Sequence, residues 1–180
     1  DVENDVPEIV GEPVSATVYE DGLANANSQG LGGGVTTAAI DLNSLVADGA
    51  DEPVSYQFTN LTDQSTALTS HNTAVTYSAS GNVLTASAGG IDVFTVTLAN
   101  GTATFELLDQ LDHGSAGADG LHGTADDTGA GETGMLSITD IGQYIEAMDA
   151  DGDVVPFTGM FTIDVENDVP EIVGEPVSAT

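Results

Sequence analysis

The sequence contains no lysine, no arginine, no cysteine and no tryptophan in its 180 residues. Without a guanidinium or ammonium group it has nothing with which to neutralise a phosphate, and 30 acidic side chains give it a net charge of −30. Such a surface repels phosphodiesters and anionic lipid heads alike, which argues against nucleic-acid binding, direct membrane contact and phosphoryl transfer. The missing cysteines rule out disulfides, thiolate metal ligands and a cysteine nucleophile, yet they do not fix the compartment. No stretch approaches the roughly 20 apolar residues of a membrane-spanning helix. No basic-then-apolar leader opens the chain either, so the expectation is that the chain is a fragment or that its export signal lies elsewhere.

What is present has the make-up of a globular protein: 40% apolar residues and 22 glycines, in a length that suits one ordinary domain with a real core. Only three histidines can pair with a carboxylate. The folded state must therefore tolerate its self-repulsion through solvent and salt or recruit cations, divalent metal being the leading candidate.

Residues 1–17, DVENDVPEIVGEPVSAT, recur letter for letter as residues 164–180. An unbroken match of that length marks a tandem array with a period of 163 residues, one module per period. Each copy of the segment holds five acids and twenty lie between them, so every period carries twenty-five. The organisation expected is an incoming linker at 1–6, a module at 7–163, and at 164–180 a linker followed by the first strand of the next copy. Acids beside a proline at 164–170 suit a short, stiff crossing better than a flexible tether; a plain polar linker is the alternative.

Runs of alternating or β-branched residues separated by turn residues recur along the chain, and no window holds a sustained apolar 3.6-residue period. Candidate strands are 9–19, 35–42, 54–59, 73–78, 82–87, 91–98, 103–108, 135–147 and 154–165. Asn100-Gly101 accepts the positive φ of a hairpin turn, and Phe94, Val96 and Leu98 form the core side of the strand before it. Ser80-Gly81 suggests a second hairpin. Stretch 135–147 is ambiguous, because Ile138, Ile141, Tyr144 and Ile145 also fit helical spacing. Nine short antiparallel strands predict an all-β, two-layer sandwich with Greek-key connections.

If every strand is antiparallel and crosses the sandwich, each loop can be assigned to a pole by counting. Glu20 and Asp21 then fall at the distal pole, where the chain leaves, beside Asp164, Glu166, Asn167 and Asp168. The 109–133 loop, with Asp109 and Asp112, falls there too. The connections carrying Asp48, Asp51 and Glu52, and Asp149, Asp151 and Asp153, fall at the proximal pole beside Asp1, Glu3, Asn4 and Asp5. Stacked copies would thus present acids to one another across each joint, where a shared metal site is expected.

In Asp149-Ala150-Asp151-Gly152-Asp153, alternate positions put three carboxylates on a tight loop with a glycine at the turn. Calcium takes six to eight hard oxygens, and such a loop supplies several. The spacing matches the start of an EF-hand loop, but no glutamate follows at its twelfth position; a solvated hairpin turn is the alternative. Asp119, Asp126 and Asp127, in a glycine-rich stretch, form a second candidate set, against a surface insertion without an ion. His71, His113 and His122 lack zinc-site spacing and read as structural or solvent-facing. The Gly30–Gly34 cluster lacks the lysine and helix of a phosphate cradle. No Ser, His and Asp arrangement stands out, and among so many carboxylates a pair at glycosidase spacing carries no information, so no enzymatic activity is expected.

Tyr19-Glu20-Asp21-Gly22-Leu23, then Phe105-Glu106-Leu107-Leu108-Asp109-Gln110-Leu111-Asp112-His113, then Asp149-Ala150-Asp151-Gly152-Asp153 before the last strand, taken with the duplication, resemble the extender repeats of large bacterial RTX adhesins. The resemblance covers essentially the whole period. It implies an immunoglobulin-like sandwich, type I secretion, and a calcium-stiffened extracellular stalk that holds adhesive domains away from the bacterial cell surface. Residues 166–170 also resemble the calcium-binding linkers of cadherins, with Val169 replacing the second asparagine of that pattern. The Gly-Gly-x-Gly-x-Asp nonapeptides of an RTX β-roll are absent.

The function expected is a structural spacer whose partners are neighbouring copies in the same chain, with adhesin ligands bound by other domains. Its charge would disfavour compaction where calcium is scarce, and calcium would order it outside the cell. The alternative is a calcium-dependent module that binds carbohydrate or another surface ligand. The absence of tryptophan and an aromatic content of 5% give that reading little to stack on a sugar ring.

Overall fold

The computed structural model describes residues 6–24, 26, 34–47, 49, 53–115, 118, 128 and 134–168. These residues form an all-β sandwich of fourteen strand segments, with helical geometry confined to single 3-10 turns. One layer is a six-stranded antiparallel sheet. It contains β3 (Thr37–Asp41), β6 (Gln64–Ser70), β7 (Thr73–Ser80), β8 (Val83–Ala88), β9 (Ile91–Ala99) and β10 (Thr102–Leu107), ordered β3-β10-β9-β8-β7-β6. Facing it are two three-stranded sheets. The first is β11 (Met135–Ile138), β14 (Phe161–Glu166) and β2 (Val14–Tyr19); the second is β13 (Val154–Pro156), β12 (Ile145–Met148) and β5 (Ser55–Phe58). A two-residue pair, β1 (Glu8–Ile9) with β4 (Val46–Ala47), completes the set.

Strands β6 to β10 run as a meander rather than in Greek-key order, and the turn chemistry explains it. The two central residues of three turns have positive φ: His71 and Asn72 (49° and 58°), Gly89 and Gly90 (59° and 88°), Asn100 and Gly101 (50° and 77°). That geometry matches the twist of adjacent antiparallel strands, so each strand is returned to its nearest neighbour. Gly81 (φ 60°) opens the fourth turn.

Side-chain alternation then builds the core. Ala103, Phe105 and Leu107 of β10 point inward, as do Leu84, Ala86 and Ala88 of β8 and Phe161, Ile163 and Val165 of β14. Phe94 packs between Tyr77, edge to face with ring centroids 5.6 Å apart, and Phe105, tilted with centroids 4.8 Å apart. Phe94, Val96 and Leu98 are buried as expected, but so is Val93, which strict alternation puts on the opposite, outer face. A register shift opposite Ala86 and Ser87 makes Val93 the extra residue of a bulge and turns it inward. Its carbonyl then accepts the amides of Leu108 and Asp109 at 2.8 and 3.0 Å, which anchors the start of the 108–113 segment.

Several expected strands are divided. The 9–19 run breaks into β1 and β2 around Gly11 and Pro13, the latter without an amide to donate. The 135–147 run passes from β11 through a 3-10 turn, Ile141–Tyr144, into β12 of the other sheet, so its helical spacing belongs to that corner. The 154–165 run likewise turns at Phe157–Met160, where Met160 donates to the Phe157 carbonyl at 3.0 Å. Strand β6 was not expected at all; its sequence, QSTALTS, is polar because it lies on a sheet edge.

Two corrections bear on function. Strand β14 pairs with β2 in parallel, Phe161 opposite Val14 and Glu166 opposite Tyr19, so the sandwich is not wholly antiparallel. Strand β14 also continues past residue 163: Asp164, Val165 and Glu166 pair with both β2 and β11 and belong to this sandwich rather than to a linker.

Candidate metal centre

The parallel β2–β14 pair defines the distal pole, where Tyr19 and Glu166 both end. Opposite it, the proximal pole carries β1, β4 and the Asn100–Gly101 turn. The end of β12 lies on that proximal side: Ser55 donates its hydroxyl to the Met148 carbonyl at 3.2 Å, and Ser55 and Tyr56 line a cleft with Asn43, Asn100 and Gly101.

Between β12 and β13 the chain reverses through Asp149–Asp153. The Asp149 amide donates to the Asp153 carbonyl at 3.1 Å, and Gly152 takes φ 100°, open to glycine and costly for other residues. Asp149 Oδ1 accepts the amides of Gly152 and Asp153 at 2.9 and 2.8 Å, so half of this carboxylate holds the loop shut. Asp149 is only 4% exposed. Its Oδ2 is buried with no hydrogen-bond donor against it. Oxygens of Asp149, Asp151 and Asp153 all lie within 4.8 Å of one another, and among the described residues no other group of three acids or histidines converges so.

Burial raises the pKa of Asp149, but the Asp153 amide, the Asp151 carboxyl and the Gly152 and Asp151 amides together outweigh it and hold the group below the usual carboxylate value. Three carboxylates so placed share protons or share a cation, and hard anionic oxygens are the donor set of a divalent ion. Asp149, Asp151 and Asp153 could hold a metal ion.

At the distal pole the acids are gathered but differently engaged. Glu20 and Asp21 sit in the 3-10 turn Glu20–Gly22 and are buried, at 3% and 8% exposure. Glu20 Oε1 accepts the Leu111 amide at 2.7 Å and its Oε2 accepts the Asp168 amide at 3.4 Å. Asp112 accepts the Asn72 amide at 2.8 Å, and Asp109 lies 3.2 Å from His71 Nε2. Glu20, Asp109 and Asp168 line a common cavity of about 320 Å3. The Asn167 amide donates to the Gly134 carbonyl at 3.0 Å.

Glu166 lies at the strand end opposite Met135, whereas Asp164 sits two residues deeper, bonded to Ser137 Oγ, and so is away from the tip. Asp1, Glu3, Asn4, Asp5, Asp119, Asp126 and Asp127 lie outside the described residues, as do Asp48, Asp51, Glu52 and His122. His113, expected to be structural or solvent-facing, is buried. Its side chain is 1% exposed and its Nε2 lies 3.3 Å from Glu20 Oε1. In a chain without lysine or arginine, a histidine next to Asp112 was the available signal.

No known protein family, curated protein or solved structure matches the chain.

Proposed function

We propose that this chain is a non-catalytic spacer module of a tandem-repeat bacterial surface adhesin, ordered by calcium at the poles where copies meet. One observation carries the reading: the Asp149–Asp153 loop directs three carboxylates to one point, with a buried Asp149 oxygen lacking a donor. Calcium is the ion suited to several carboxylates on a flexible loop, with water or a neighbouring copy filling the remaining positions. The letter-perfect duplication supports the spacer role, since copies in series add length. A module with twenty-five uncompensated acids would repel itself in a calcium-poor cytosol, which favours threading through a type I exporter. Outside the cell, binding to the folded form alone would stabilise it by about 2.7 kcal/mol at calcium a hundredfold above its Kd. Other domains of the same protein would grip the surface.

The test is a calcium titration of a chain carrying two full periods, read by thermal melting and small-angle scattering. The expected result is a higher melting temperature in calcium, with an extended particle in scattering. Identical melting in calcium and in EGTA would refute the calcium reading.

A further inference from the structure

We infer that successive copies meet pole to pole with one unanchored residue between them, so that the backbone itself holds the joint stiff. The inference rests on the tandem-copy part of the reading above and is independent of calcium. It comes from laying the repeated segment over the structure. Residues 164–168 have the sequence of residues 1–5, and in this sandwich they form the end of β14 and the first anchored residues beyond it. The segment that looks like the start of a module is therefore the last strand of the preceding one.

The connection can then be followed residue by residue. On the near side, the Asn167 and Asp168 amides are bound by Gly134 and by the buried Glu20. Asp168 is equivalent to Asp5 in the numbering of the next copy. There Val6 is 44% exposed, Pro7 is buried against its own module, and Glu8 already pairs with Ala47 in β1. Only the residue equivalent to Val6 stands between two anchored neighbours. Two peptide units reach at most about 7 Å. A residue before proline is confined to extended backbone, and the proline fixes its own φ, so the short span is also stiff.

Poles tied at that distance touch. The distal cavity between Glu20, Leu23, Leu108 and Asp168 opens beside the connection, with Leu108 44% exposed. On the facing pole Val6 and Val10 are exposed, Val10 at 58%. The surface is thus an interface for the next copy of the same module. Acids approach one another across it, so a cation would relieve repulsion at a joint whose geometry the chain has already set.

The chain lacks cysteine, so Thr104→Cys in each copy of a two-period chain gives a clean pair of spin labels. The inter-label distance distribution should be narrow in EGTA as well as in calcium, and should broaden when Gly-Ser-Gly-Ser is inserted after Asp168. A broad distribution in EGTA overturns the inference; if calcium then narrows it, the calcium reading survives alone. A narrow distribution with melting indifferent to calcium leaves this inference standing and removes the calcium reading. No broadening on insertion also overturns the inference. Independently, the 180-residue chain ended after Ile163 should melt at least about 5 °C below the same chain ended after Asp168, because buried Val165 is lost and the pairing of Asp164–Glu166 with both β2 and β11 goes with it. Deleting residues 1–5 should leave melting unchanged. Equal melting of the two shortened chains, or a large fall on deleting 1–5, refutes the assignment of the segment to the preceding module.

Discussion

Glu20→Ala should lower the melting temperature of the 180-residue chain by about 5–10 °C. Glu20 is buried, and its Oε1 accepts the amide of Leu111, itself 2% exposed, at 2.7 Å. Removing the carboxylate leaves that amide without an acceptor, at a cost of about 1–3 kcal/mol, and the lost bond is a charge-assisted one. The weaker 3.4 Å contact to the Asp168 amide adds less than that. Relief of repulsion from Asp21 and Asp168 works the other way and is small, which leaves a net loss of about 2–3 kcal/mol. For a domain of this size each kcal/mol shifts melting by about 2–4 °C. The measurement is calorimetry or circular dichroism at pH 7 in EGTA, so that ion binding does not enter. Glu20→Gln keeps a carbonyl for Leu111 and should lose less than half as much. A Glu20→Ala protein melting within about 1 °C of the parent would show that the 108–113 segment and the exit of the chain are not held by this carboxylate.

Asp149→Asn keeps an oxygen for the Gly152 and Asp153 amides but removes the charge, so it should abolish most of any calcium-induced rise in melting and, in EGTA at neutral pH, melt below the parent by the amount the parent itself loses in acid. Because the pKa of Asp149 lies below its unfolded value, its contribution is complete above about pH 4 and is lost as pH falls through the folded value; an acid melting series should lose that loss in the variant. Gly142→Ala should destabilise by about 1–3 kcal/mol, since a Cβ there would clash with the Phe157 carbonyl at the corner between β11 and β12, and urea titration would read it. Tyr77 donates to Asp140 at 3.2 Å, and burial first, then the Asp140 charge and hydrogen bond, raise its pKa far above the phenol value. Its stabilisation is present in full below about pH 10 and fades above it, when only the unfolded chain ionises, so Tyr77→Phe should cost about 1–2 kcal/mol at neutral pH and flatten the alkaline decline.

The strands of the large sheet were legible because their signals are local. Asn100-Gly101 has the residues a tight hairpin requires, and Phe94, Val96 and Leu98 alternate as a half-buried strand must. The Asp149–Asp153 loop was legible for the same reason, as its three carboxylates lie within five residues. Strand β6 was not, since an edge strand has no need of apolar alternation, and the corners in 135–147 and 154–165 depend on which sheet each half joins. Nor did any local pattern mark His113 as the neighbour of Glu20, ninety-three positions earlier.

Sequence alone determined the all-β character, the 163-residue period and the acidic balance, because each follows from residue types and their short-range order. Only the tertiary structure decided that Asp164 to Glu166 belong to the sandwich. The parallel pairing of β14 with β2 draws them in, a long-range hydrogen-bonded register that no stretch of sequence specifies by itself.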